Sequence, residues 1–189
     1  MAVRPQTYRF TVEEYRRMAE AGILGEDERV ELIEGEIVEM APIGTRHAAC
    51  VKLLNRLLAA AIPADVIVAI QDPVTLDAHT EVQPDVALVR ARDDFYASAH
   101  PGPEDVLLLV EVADTSATYD RSIKVPLYAR AGVGELWLVD LSTDTVGVHR
   151  DPSPDGYRDV TQIDLGGRLV PAAVPQVELE VSAILGAAR

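Results

Sequence analysis

The run Val106-Leu107-Leu108-Leu109-Val110-Glu111-Val112 constrains this chain most. Five consecutive apolar residues of β-branched and leucine type suit a central strand covered on both faces. A glutamate near the end of such a strand is out of place unless it has a partner or a ligand. Glu111 is therefore the first candidate for chemistry.

The other elements follow from local signals. Thr11 with Glu14 three residues on makes a capping box, Phe10 and Tyr15 are spaced for a hydrophobic staple, and Gly22 ends the first helix. Val30 to Met40 reads as two short strands joined at Gly35. Gly44 or Thr45 caps a second helix from Arg46 to Ile62, stopped by Pro63. Val51, Leu54, Leu58 and Ala61 fall on one face of it, and His47 lies within that face. Val66–Ile70 is a strand, and Asp72 to Asp77 holds another short one. A further strand begins at Pro84 and runs through Val89, which is tolerable for proline at a strand start. Residues 90–105 are loop-like. Ala117 to Gly132 reads as a helix, bent or delayed by Pro126. Glu135 to Leu141 is a strand. Two more flank the Asp155-Gly156 turn as a hairpin, and the tail holds a short strand and a final helical turn. The fold class is mixed α/β, a sheet flanked by helices with a β-rich C-terminal extension, in a single domain spanning 1–189.

Several function classes are disfavoured. No apolar run reaches the length of a membrane span. The N-terminal residues lack a signal-peptide core, which gives a cytoplasmic expectation. Cys50 is the only cysteine, so no internal disulfide and no cysteine metal site can form. The net charge of −14 argues against broad, non-specific attraction to nucleic acid, while leaving room for a local basic patch.

Alternation along a strand puts Asp85 on a face with Ala87 and Val89, and Glu111 on a face with Leu107 and Leu109. If the two strands are neighbours, the two acids converge into a hard-oxygen site suited to Mg²⁺ or Mn²⁺. They could equally be exposed strand ends or members of a structural ion-pair network. Asp120, Lys124 and Tyr128 lie at i, i+4 and i+8 on the next helix, roughly one face. A lysine there could steady a nucleophilic water or developing negative charge.

Taken together, VELIEGEIVEM, the helical His47, QPDVALV, LVEVADTSATYDR, Lys124, PLYARAGV and ELWLVDL resemble the Uma-two family of restriction endonucleases, from about Tyr8 to Asp140. That family is similar to the PD-(D/E)xK nucleases, which implies a restriction-endonuclease-like mixed sheet between helices. The resemblance implies that Asp85 and Glu111 are metal ligands with the Val112 carbonyl as a third. It also implies that Glu31 completes the site and that Lys124 assists catalysis. In the wider superfamily the lysine stands two residues after the glutamate. Here that position is Ala113, so the role passes to Lys124 on another element. His47, Asp120 and Tyr128 are candidate site-lining residues.

The implied activity is Mg²⁺- or Mn²⁺-dependent hydrolysis of DNA. Arg46, Lys52, Arg56, Arg90, Arg92 and Arg121 are the cations available for phosphates. The alternative is a catalytically silent module of the same fold that binds a partner protein or a nucleic acid. A homodimer with two sites facing one groove, joined through apolar residues of the tail, is a further expectation.

Overall fold

A computed structural model describes residues 7–25, 28–114 and 117–185. Its centre is a six-stranded mixed sheet containing β3 (Val66–Ala69), β6 (Val86–Arg90), β7 (Val106–Ala113), β8 (Glu135–Asp140), β9 (Thr145–Ser153) and β10 (Gly156–Asp164). The strand order is β10-β9-β8-β7-β6-β3. Among the described residues only the β7–β8 pair is parallel. The chain between those two strands makes the crossover that parallel pairing requires. A smaller antiparallel sheet has the order β2-β1-β5-β4, from β1 (Val30–Ile33), β2 (Glu36–Glu39), β4 (Val74–Asp77) and β5 (Thr80–Val82). In the tail, β11 (Arg168–Leu169) pairs with β12 (Leu179–Glu180), and α5 (Val181–Leu185) follows.

β7 separates two cores. On one face Leu108, Val110 and Val112 pack with Cys50, Val51, Leu54 and Leu58 of α2 (Thr45–Ala61) and with the tail residues Leu169, Val177 and Ile184. On the other, Val106 and Leu109 pack with Leu127, Tyr128 and residues of the smaller sheet, among them Ile33, Val74 and Val82. Leu54, Leu58, Leu108 and Leu109 are wholly buried. Each contributes about 1.5–3 kcal/mol of transfer free energy.

Local signals act as the sequence indicates at several points. α1 (Val12–Glu20) has the Thr11–Glu14 capping box complete. The β1–β2 hairpin turns through Glu34 and Gly35, both left-handed. A Cβ at Gly35 would stand 2.7 Å from the Arg9 side chain and 3.0 Å from its Cα, so only glycine fits that turn.

Two expectations need correction. The strand read from Pro84 through Val89 covers only β6, and the residues before it make a separate strand, β5, in the other sheet. Pro84 has no N–H for a ladder, so pairing stops there, and Pro84 and Asp85 lie between the two sheets. The helix before Gly132 is unbroken and ends there as expected, but it is not α-helical throughout. It comprises α3 (Ala117–Tyr119), a π-helical turn (Asp120–Lys124) and α4 (Val125–Ala131). The Val125 N–H bonds Asp120 O, five residues back, just before Pro126 removes a donor from the first turn of α4.

Candidate active site

The antiparallel register of β6 and β7 answers the question that Glu111 raises. Val86 opposes Val110 and Ala87 opposes Leu109. The ladder ends at the first of these pairs; Asp85, just before Val86, and Glu111, just after Val110, line the same cavity. The two acids meet at the C-terminal end of β7, where the chain leaves the parallel pair for the crossover. Ligands of α/β sheets commonly bind at such strand ends.

Both carboxylates are buried and firmly held. Asp85 Oδ2 accepts from the Val112 N–H at 2.9 Å and lies 2.8 Å from His47 Nε2, which must carry the hydrogen toward this acceptor. Gln71 Nε2 donates to Asp85 Oδ1 at 3.2 Å. Lys124 Nζ donates to Glu111 Oε1 at 3.2 Å and to Glu31 Oε1 at 3.0 Å. The Tyr128 hydroxyl donates to the same Glu111 oxygen, and the Gln83 N–H to Glu31 Oε1 at 2.7 Å. Lys124 enters from the π turn and Tyr128 from α4, four residues apart. Asp120, also buried, is four residues before Lys124.

These environments set the charges. Burial pushes the Glu111 carboxyl up to about 8; Lys124 opposes the rise, and the negative charges of Asp85, Glu31 and Asp120 add to it. Burial acts against the Lys124 ammonium, but Glu111, Glu31 and Asp120 outweigh it and hold its pKa above the ordinary lysine value. Burial and then Glu111 keep the Tyr128 hydroxyl protonated. The cluster therefore has one lasting positive charge among several carboxylates, and burial works against the charge of Glu111.

Beside the cluster opens a cavity of about 510 Å³, walled by Glu31, His47, Asp85, Glu111, Asp120 and Lys124 and rimmed by Arg29 and Met40 to Gly44. Every residue singled out for the site lines it except Tyr128, which lies behind Glu111. His47 Nδ1 is buried and has no hydrogen-bond partner among the described residues.

The donor set fits a hard divalent cation. Carboxylate oxygens dominate it, beside the Val112 backbone and the His47 ring, and the raised Glu111 marks a place where added positive charge is favourable. Among the described residues no three His, Cys, Asp or Glu side chains form a ready metal-holding group. An ion here would thus be bound by one or two carboxylates and retain several waters, as Mg²⁺ commonly does.

Sequence reasoning missed Gln71 and Gln83. Gln71 follows the apolar run Val66–Ile70 much as Glu111 follows its own run, and that parallel was the available signal. Gln83 contributes only its backbone N–H, which no side-chain pattern can reveal.

Comparisons with known proteins bear on the family and the fold. The Uma2 family, described as "Putative restriction endonuclease", matches residues 12–182. The chain belongs to this family. A solved structure described as a "putative nuclease belonging to DUF820" from Anabaena variabilis ATCC 29413 is similar in fold, with a TM-score of 0.66 at 17% identity. The similarity covers 93% of this chain and 97% of that one. A search of curated proteins found no match. Among the described residues no helix is long and apolar enough to cross a membrane.

Proposed function

We propose that this Uma-two chain is an endonuclease that hydrolyses DNA phosphodiester bonds with a bound Mg²⁺ or Mn²⁺. The observation that carries the reading is the meeting of Asp85, Glu111 and Lys124, from three separate elements, at one cavity wall. Asp85 and Glu111 would hold the ion, with the Val112 carbonyl as a third ligand and Glu31 completing the site through Lys124. When bound, such an ion supplies an acidified water and neutralises phosphate charge.

The chain's own groups do the rest. The Val112 N–H, His47 and Gln71 fix both oxygens of Asp85, so little reorganisation accompanies binding. Tyr128 holds Glu111 Oε1 in place. Asp120 helps to keep Lys124 protonated. The Lys124 ammonium then offers a donor to charge developing on the phosphoryl oxygens. Residues 1–189 act as one domain in this reading. A dimer through exposed tail residues such as Val160 would present two sites to one duplex.

One observation favours the catalytically silent alternative, a module that binds a partner protein or nucleic acid. The cavity wall carries six carboxylate residues (Glu31, Glu39, Asp85, Glu111, Asp114 and Asp120) against two cations, Arg29 and Lys124. Plasmid relaxation separates the two readings. With Mn²⁺, wild type should convert supercoiled plasmid to open circles, and folded Asp85→Ala and Glu111→Ala variants should not. Equal nicking by variants and wild type, or none by any of them, would contradict the endonuclease reading.

A further inference from the structure

The chain has 31 acids in 189 residues, yet none falls between Glu39 and Asp65. That gap, Met40 to Ala64, is 25 residues long; the next longest, Arg121 to Gly134, is 14. In the fold the acid-free segment makes the cavity rim and then the whole of α2. Its charges are Arg46, Lys52 and Arg56, all exposed.

These cations differ from others at the surface. Arg92 is held by Asp94 and Arg121 by Asp140, so both are neutralised locally. Lys52 and Arg56 have no ion pair and no hydrogen bond among the described residues. Arg46 bonds the Leu141 carbonyl at 2.8 Å, and its two acids stand off at 3.8 and 3.6 Å. Cys50, Val51, Leu54 and Leu58 bury the opposite side of the helix, which fixes Lys52 and Arg56 toward solvent. They are one turn apart, and α2 begins at the cavity, where Gly44 and His47 line the wall.

We propose that the exposed face of α2 binds the phosphate backbone of duplex DNA and leads it to the cavity, with Lys52 and Arg56 on phosphates and Arg46 nearest the site. The inference rests on the DNA-binding part of the proposed function. It gives a chain of net charge −14 a local place for a nucleic-acid partner: among the described residues Lys52 and Arg56 share one acid-free helix without ion pairs, whereas the other cations that lack them, Arg17, Arg29 and Arg90, stand on separate segments within five residues of an acid.

The test is the salt dependence of binding to a short fluorescent DNA duplex, read by anisotropy in EDTA. Three proteins are compared: wild type, Lys52→Ala/Arg56→Ala, and Arg158→Ala/Arg168→Ala. The last pair makes the same charge change at cations already paired with Asp151 and Glu178. Loss of two phosphate contacts should lower the log–log salt slope by about 1.8 in the α2 variant and leave the control unchanged. Hydrolysis of bis(p-nitrophenyl) phosphate, which has no duplex backbone to lie along Lys52 and Arg56, should be equal in all three. An unchanged slope in the α2 variant, or an equal fall in both variants, overturns the proposal. A slope change without hydrolysis by wild type supports the α2 track while removing the catalytic reading, so the two failures are distinguishable.

Discussion

Glu111 and Glu135 lie on the parallel pair β7 and β8, at opposite ends of it, and both are almost wholly buried. Glu135 stands at the start of β8 and is saturated. Its Oε1 accepts from Trp137 Nε1 at 2.7 Å and from Arg150 at 2.8 Å, and its Oε2 accepts from the Ala172 N–H at 2.7 Å. These donors tie the tail to the sheet. Glu111 stands near the end of β7 beside a cavity. Its two donors crowd one oxygen, its neighbours include three further acids, and burial pushes it upward. Burial alone therefore does not distinguish the acid proposed to hold a metal from a structural one. The distinction lies in whether the protein supplies enough positive and donor groups to satisfy the charge.

The comparison can be broken most forcefully at Lys124. Lys124→Ala leaves Glu31 and Glu111 buried without their cation and should cost about 3–5 kcal/mol in urea unfolding. A cost near zero would mean that the cluster is far wetter than its burial indicates. The two glutamates should next respond in opposite ways to one isosteric change. Glu135→Gln weakens three bonds to a charged acceptor and should cost about 1.5–3 kcal/mol. Glu111→Gln removes a strained buried charge and should leave stability unchanged or higher, as is common where function is traded against stability. Equal losses would erase the contrast.

A smaller effect tests the support around Asp85. His47→Ala should weaken Mn²⁺ binding by about 10–100-fold with little change in fold, the usual consequence of losing a group that orients a ligand. Unaltered affinity would remove His47 from the site. The smallest effect concerns Cys50, on the opposite face of the sheet from Lys124. Burial, and to a lesser degree Asp85, push its thiol up to about 12. At pH 8 it is protonated, so iodoacetamide should label it only after unfolding, with native labelling rising as pH approaches 12. Rapid native labelling at pH 8 would show that this core is open.

Much of this arrangement was legible in the residues. The apolar run identified β7 as a buried strand, the alternation rule set Asp85 and Glu111 on matching faces, and the helical spacing brought Lys124 and Tyr128 to one acid. The split between β5 and β6 was harder, because strand periodicity carries no mark of which sheet a strand joins. Pro84 is the local sign of that break, and proline is equally compatible with a strand start. The π turn hides for a similar reason. It shifts the helix by one residue, and only the register of Val125 to Asp120 reveals it. Glu135 looked like an ordinary strand residue, since its partners Arg150 and Ala172 are 15 and 37 positions away in the chain.

Asp85 and Glu111 are proposed to hold a divalent cation, and Glu135 is not. Calorimetric titration of Mn²⁺ into wild type, Asp85→Ala, Glu111→Gln and Glu135→Gln tests it most directly. One binding site is expected in wild type and in folded Glu135→Gln, and none in the two cavity variants. Binding that survives in Asp85→Ala or Glu111→Gln, or a folded wild type that binds no metal, would contradict the proposal.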